Sequence, residues 1–253
     1  MSSNFNLKQK IALITGASRG IGFAIADQFA KAGANLIIAS RKKEGIEKAK
    51  KKLLNNGTQV FSTVVHTGNS DSIKKMVKDG VKYFGGIDIV VNNAATSPHY
   101  GPILTSDESH WNKTLDVNIK GYFKVIKASV KSMKKRGGGK IINIASIAGE
   151  KPLSGMGIYC ISKSAVIMLT KVLAKELSGY DIQVNAIAPG LVKTNFSSIL
   201  WKDKNIYKKI TNSIPVGRMA EPFEISGLAL YLASTNSSFT TGEIFTVDGG
   251  QTI

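Results

Sequence analysis

The sequence predicts a single α/β domain, with a seven-stranded, mostly parallel sheet and helices on both of its faces. Three observations carry this. Seven short apolar runs recur along the 253 residues. Amphipathic segments of helical length separate most of them. No Pro/Ser-rich linker, internal repeat or low-complexity block breaks the series, so residues 1–253 read as one domain. Strands covered by helices on both faces are near-continuous apolar runs, and such a chain is long enough for one sizeable core.

The elements follow in order. "KIALITG" (10–16) is a buried strand, and "GIGFAIADQFAKAG" (20–33) a helix stopped by Gly33. "ANLIIAS" (34–40) is the second strand. "TQVFSTVV" (58–65), "IDIVVNN" (87–93), "KIINIAS" (140–146), "IQVNAIAPG" (182–190) and "IFTVDGG" (244–250) continue the sheet. β-Branched residues dominate these runs, and helical periodicity fills most of the gaps between them.

Composition narrows the class. The lone cysteine, Cys160, has no partner for an intrachain disulfide, which fits a reducing compartment. The opening "MSSNFNLKQK" is polar and lacks the apolar core of a secretory signal. No apolar run approaches the ~18 residues of a membrane span. A cytoplasmic protein without membrane attachment is the expectation. The formal net charge is +17. One reading is an anion-binding or nucleic-acid surface. The other is lysine on solvated faces, as in "EKAKKKLL" (47–54) and "SMKKRGGGK" (132–140). No nucleic-acid motif accompanies the charge, so no nucleic-acid partner is expected. His66, His99 and His110 are not spaced as metal ligands, and no metal is expected.

"ITGASRGIGFAI" (14–25) ends the first strand and opens the first helix. A dinucleotide pyrophosphate needs a tight turn, close backbone approach and a helix N-terminus aimed at it. Gly16, Gly20 and Gly22 supply these, with Ser18, Arg19 and Ile21 between them. The fold is then of the Rossmann, doubly wound kind. An NAD site places an acid at the end of the second strand, for the ribose hydroxyls. Here that end reads Ser40, Arg41, Lys42, Lys43. Arg19 and Arg41 suit a 2′-phosphate, so NADP(H) is the expected cofactor. "NNAA" (92–95) closes the fourth strand with Asn93 and Ala94. It reads equally as a close approach to a cofactor and as a structural turn.

Tyr159 and Lys163 stand four residues apart and share a helical face. A free phenol, with pKa ~10, is a poor acid–base catalyst at neutral pH. A neighbouring ammonium is expected to lower that pKa. Ser146 closes the fifth strand, where ligands of parallel sheets bind and a hydroxyl can support developing negative charge. Cys160 points about 100° around the helix from Tyr159 and is expected to pack rather than react.

The chain resembles the short-chain dehydrogenase/reductase family over essentially its whole length. The motifs are "TGASRGIG" (15–22), "NNAA" (92–95), Asn118 in "LDVNIKG", Ser146, "YCISK" (159–163), "PGLVKT" (189–194) and "TGEIFTVDGG" (241–250). "ASRK" (39–42), "HTG" (66–68), "RGGG" (136–139), "APGLVKTNFS" (188–197) and "LWKDK" (200–204) are similar to the NADP(H)-dependent carbonyl reductases of the dehydrogenase/reductase member 4 type. The resemblance implies that Tyr159 is the general acid in reduction and that Lys163 lowers its pKa and binds the nicotinamide ribose. It implies that Ser146 polarises the carbonyl and that Asn118 holds a water in a proton relay. Asn93 would lie along the cofactor. Val192 (by backbone) and Thr194 would anchor the carboxamide, in a strand-end segment that includes Pro189 and Gly190. It implies a homotetramer and a substrate lid over residues 195–215. In that lid Ile199, Leu200 and Trp201 either close an apolar pocket with Leu153 and Met156 or pack on the domain body. His66 stands where the family has an acid against adenine.

The expected activity is NADP(H)-dependent hydride transfer to apolar ketones or aldehydes. A 3-oxoacyl-[acyl-carrier-protein] reductase is the alternative enzyme. A non-catalytic NADP(H)-binding regulator is the alternative of another class; the presence of Asn118, Ser146, Tyr159 and Lys163 together argues against it.

Overall fold

Seven strands form one sheet in the computed structural model, which describes residues 5–253 apart from the side chains of Ile199 and Ile206. They are β1 (Ile11–Thr15), β2 (Asn35–Ser40), β3 (Val60–Val64), β4 (Ile89–Asn92), β5 (Gly139–Ile144), β6 (Ile182–Pro189) and β7 (Ile244–Val247). Their spatial order is β3-β2-β1-β4-β5-β6-β7. Every neighbouring pair is parallel, so the sheet is parallel throughout. The winding reverses between β1 and β4. A crevice therefore opens at the carboxyl ends of those two strands, where doubly wound sheets bind their ligands.

Helices cover both faces: α1 (Gly20–Lys31), α2 (Lys43–Leu54), α3 (Ser70–Phe84), α4 (Glu108–Leu115), α5 (Gly121–Lys135), α6 (Gly157–Leu177), α7 (Ser198–Trp201), α8 (Lys204–Thr211) and α9 (Phe223–Ala233). Strand alternation divides the core. Ala12, Ile14, Leu36 and Ile38 face Ile25 and Phe29 of α1 and Ile225 and Leu232 of α9. Leu13, Ile37 and Val90 face the opposite way, onto Ile73 of α3, Val125 of α5 and Leu173 of α6. The strands are shorter than their apolar runs where a turn begins. β1 ends at Thr15 because Gly16 has φ +68°. α1 ends at Lys31, and Gly33 (φ +92°) reverses the chain into β2.

Asp88 locks the opposite end of the sheet. It is buried, accepts from the Ile11 backbone N–H at 2.8 Å and pairs with Arg136 Nε at 2.7 Å. Between α4 and α5 the helix widens into a π-turn over Asp116–Lys120. The sequence expectation of no long apolar run also needs correcting. By length and composition, Gly157–Tyr180 would pass for a membrane span, with mean hydropathy 1.4. Half of that window is buried inside the domain, which is how a central core helix behaves.

Candidate active site

The glycine turn is built by close packing. Asn93 Nδ2 donates to the carbonyls of Thr15 (3.1 Å) and Gly16 (3.2 Å). Thr15 Oγ1 accepts from the backbone N–H groups of Asn93 and Ala94. A Cβ on Gly16 would stand 2.7 Å from Asn93 Nδ2, and one on Gly22 would collide with the same amide. A Cβ on Gly20 (φ +59°) would stand 3.3 Å from Thr194 Cγ2. The turn after β1, the end of β4 and the segment after β6 thus meet at one place. Asn93 serves as the brace of this turn.

The N-terminus of α1 suits a pyrophosphate. Its first turn carries no acidic residue, and Arg19 at the N-cap makes no capping hydrogen bond. Its outward N–H groups and dipole are therefore available to an anion. Ile21 packs on the core below. The Ser18 side chain lies against Gly45 in the first turn of α2, which brings the glycine turn beside the end of β2. Ser40 Oγ there donates to the Lys42 carbonyl at 3.3 Å. Arg19 and Arg41 are exposed, and neither forms an ion pair with a described residue. His66 is exposed after β3, and its Nδ1 accepts from Gly68 N–H at 3.2 Å.

Pro189 closes β6, and Gly190 N–H donates to the Val247 carbonyl at 2.9 Å. Val192 is buried and bridges to Ala220. Thr194 N–H donates to Ser197 Oγ at 3.1 Å. The segment that would face a nicotinamide is held from both sides.

Three of the four sequence-selected catalytic residues converge directly. Ser146 follows β5, accepts from Ala148 N–H at 3.1 Å and lies close enough to the Tyr159 phenol to favour its ionised form. Tyr159 lies in the first turn of α6, and Lys163 one turn further on is 1% exposed. Lys163 Nζ lies 5.6 Å from the Tyr159 ring centroid. Its hydrogen bonds run to the Ile144 carbonyl (2.6 Å) and Tyr122 Oη (3.4 Å). Asn118 sits in the π-turn, one contact behind. Its Oδ1 accepts from Thr96 N–H (2.8 Å), and its Nδ2 donates to Thr96 O (3.0 Å) and Ser162 Oγ (2.9 Å).

Among the protein's own groups, burial dominates both Tyr159 and Lys163. Burial pushes the Tyr159 phenol up to about 12, partly offset by the Ser146 hydroxyl, with Cys160 adding slightly to the rise. Burial pushes the Lys163 amine down to about 7. Desolvation disfavours both charged forms. At neutral pH the phenol is protonated.

Cys160 is a buried free thiol that packs on Leu153, whose N–H approaches Sγ at 3.4 Å. Loop 96–106 and loop 150–157 make one wall. Gly101 N–H donates to Gly155 O at 2.9 Å, Gly101 bridges to Met156, and the Tyr100 ring covers Gly155. Across from it, Phe196 sets its ring 5.6 Å from that of Tyr159. Sequence reasoning passed over Phe196 in favour of Trp201. Trp201 packs inward: its Nε1 donates to Thr194 O at 2.9 Å, with Lys193 Nζ 5.8 Å from its ring. The Ile199 side chain lies outside the described residues. Tyr122 was also missed. Its contact with Lys163 depends on α5 and α6 both meeting the end of β5 at the Ile144 carbonyl, which no local pattern encodes.

A glycine cradle at a switch point, with Ser146, Tyr159 and Lys163 converging beside it, defines an NAD(P)-dependent oxidoreductase. The comparisons place it more finely. Residues 16–252 match the family model described as Enoyl-(Acyl carrier protein) reductase. The chain is 42% identical over 244 residues to human dehydrogenase/reductase SDR family member 4, covering 96% of this chain and 88% of that one. A short-chain type dehydrogenase/reductase from Mycobacterium marinum superposes with TM-score 0.92 at 35% identity, covering 98% and 97% of the two chains. A gluconate 5-dehydrogenase from Burkholderia cenocepacia, solved with NADP and tartrate, gives TM-score 0.94 at 33% identity, covering 99% and 98%. The chain belongs to the short-chain dehydrogenase/reductase family.

Proposed function

We propose that this protein is an NADP(H)-dependent carbonyl reductase acting on apolar ketones or aldehydes. The observation that carries the reading is the Ser146–Tyr159–Lys163 cluster with its phenol held protonated, beside a glycine turn flanked by two unpaired arginines. Bound along the glycine turn, a reduced nicotinamide would supply the hydride. Tyr159 would give its Oη proton to the carbonyl oxygen, and a raised phenol pKa keeps that proton in place until it is needed. The Ser146 hydroxyl, oriented by Ala148 N–H, would hydrogen-bond the same oxygen as charge develops. Lys163 would hold the ribose, and Thr194 and the Val192 backbone the carboxamide. A water held at the Asn118 turn would complete the relay.

Arg19 and Arg41 favour the 2′-phosphate, and the Burkholderia relative was solved with NADP. Phe196, Leu153 and Met156 favour an apolar substrate over a polyol. Residues 195–215 would act as the lid, a reading supported by Phe196 at its start, whose ring stands 5.6 Å from that of Tyr159. Ile161, Met168 and Val172 leave an apolar stripe exposed on α6, which supports assembly, and a homotetramer is the reading we adopt. The buried free thiol of Cys160 fits a cytoplasmic location.

A second reading is favoured by the carrier-protein reductase description of the matching family model and the +17 charge. It takes a 3-oxoacyl group on an acidic carrier as substrate. One panel separates the two: apolar ketones, sugar acids and ketoses, and 3-oxoacyl thioesters, each followed by NADPH absorbance. Preference for ketoses or sugar acids would refute the apolar reading; preference for thioesters would establish the second.

A further inference from the structure

Tyr122 lies on α5, just after the π-turn, and is 1% exposed. Its Oη donates to the Ile144 carbonyl at 3.1 Å. Lys163 Nζ donates to that carbonyl and to Tyr122 Oη. The amine stands 5.3 Å from the Tyr122 ring centroid and 5.6 Å from that of Tyr159. It is thus sandwiched between two phenols. The groups facing it are Tyr159 on its own helix, Tyr122 from α5 and the Ile144 carbonyl from β5. No described carboxylate pairs with it. Burial, reinforced by Tyr159, holds the Tyr122 phenol well above its ordinary range, so it is a neutral hydroxyl and not a counter-ion.

We propose that Tyr122 is a positioning residue for Lys163, its hydroxyl and the Ile144 carbonyl forming a two-oxygen seat that holds the amine beside Tyr159 and helps it keep its third proton inside the domain. A buried ammonium with no carboxylate depends on each neutral acceptor it has. Removing the Tyr122 hydroxyl leaves one oxygen and makes the charged form harder to bury. The amine then loses its proton at lower pH.

Tyr122→Phe tests this with the ring retained. The first readout does not involve catalysis. Below about pH 7 the Lys163 amine is protonated, and above it neutral. The melting-temperature deficit of Tyr122→Phe against wild type should therefore widen as pH falls from 8.5 to 6. In a Lys163→Met background that widening should vanish. A deficit equal at both pH values would show that the hydroxyl only packs, and would overturn the proposal. The second readout rests on the proposed function: the alkaline limb of kcat/KM for carbonyl reduction should move about one pH unit lower, the scale of one hydrogen bond to a charged group. A pH-dependent melting deficit with an unmoved limb would support the seat and count instead against a catalytic part for Lys163.

Discussion

Asn118 Nδ2 donates to Ser162 Oγ at 2.9 Å, joining the π-turn to α6 one residue before Lys163. Ser162 Oγ passes the contact on to the Tyr159 carbonyl at 2.7 Å. Both Nδ2 protons of Asn118 are therefore taken, by Thr96 and Ser162, and the side chain acts as a brace for the helix that presents both catalytic candidates. The π-turn also disturbs the regular ladder of helical carbonyls, which gives a water at this turn a backbone acceptor to meet.

Replacing Asn118 by Ala should cost about 2–4 kcal/mol of stability, because the half-buried Thr96 backbone and the buried Ser162 hydroxyl each lose a partner. Ser162→Ala should cost less, and the double variant less than the sum, since the two side chains share one bond. Urea unfolding of the four proteins measures this cycle. Additive losses would show that Asn118 and Ser162 act separately.

Tyr159→Phe should lower turnover by about 10² to 10⁴, the usual worth of general acid–base help. NADPH binding should persist, because the ring still packs against Phe196. A purified variant turning over near the wild-type rate would remove Tyr159 from the proton step.

Lys163 also imprints a pH dependence on stability. Its folded pKa, about 7, lies below the unfolded value of ~10.4. Between the two, the unfolded chain holds the extra proton, so stability rises with pH. The cost of burying the amine is fully present below about pH 7 and fades as pH rises towards 10. The slope from this residue approaches ~1.4 kcal/mol per pH unit at its steepest. Lys163→Met should flatten the rise between pH 7 and 9, measured by urea unfolding. Equal slopes in the two proteins would place the Lys163 pKa near its ordinary value.

The strands were legible because a buried parallel strand needs little besides an apolar run bounded by turns, as "KIALITG" and "ANLIIAS" show. The glycine turn was legible because Gly16 and Gly22 answer a steric demand that no other residue meets. What stayed hidden is tertiary. Asp88 reads as an ordinary surface acid until β4 brings it to the Ile11 amide and Arg136. The π-turn has no signature in "LDVNIKG", since its cost is offset by hydrogen bonds to residues 22 and 44 positions away. The Lys163–Tyr159 spacing was correct, but spacing cannot say that a carbonyl and a second phenol take the amine's protons while burial raises the first phenol.

Phe196, set against Tyr159 and 50% exposed, is expected to shape substrate choice, whereas Trp201 supports Thr194. Phe196→Ala should reduce kcat/KM for bulky apolar ketones several-fold more than for small polar ones, as contact with about one aromatic face is lost. Trp201→Ala should instead raise the KM for NADPH. Steady-state kinetics on both substrate types and the cofactor separate the two roles. Equal losses on all three would point to general destabilisation of the segment.

Cofactor choice turns on the rim between the glycine turn and β2. Arg19 and Arg41 are exposed there without ion pairs, and the Ser18–Gly45 contact brings their segments together. A 2′-phosphate between them would take charge-assisted hydrogen bonds, each worth about 1.5–3 kcal/mol. Arg41→Ala should therefore raise the Kd for NADPH by roughly tenfold to hundredfold, at about 1.4 kcal/mol per decade. NADH carries no phosphate at that position, so its binding should hardly change. Ser40→Asp should go further. The new carboxylate would repel the phosphate while accepting from the free ribose hydroxyls, and preference should swing towards NADH. Fluorescence titration of both cofactors against wild type, Arg41→Ala and Ser40→Asp measures all of this. Wild-type protein that binds NADH as tightly as NADPH would end the argument for a phosphate site at its first step.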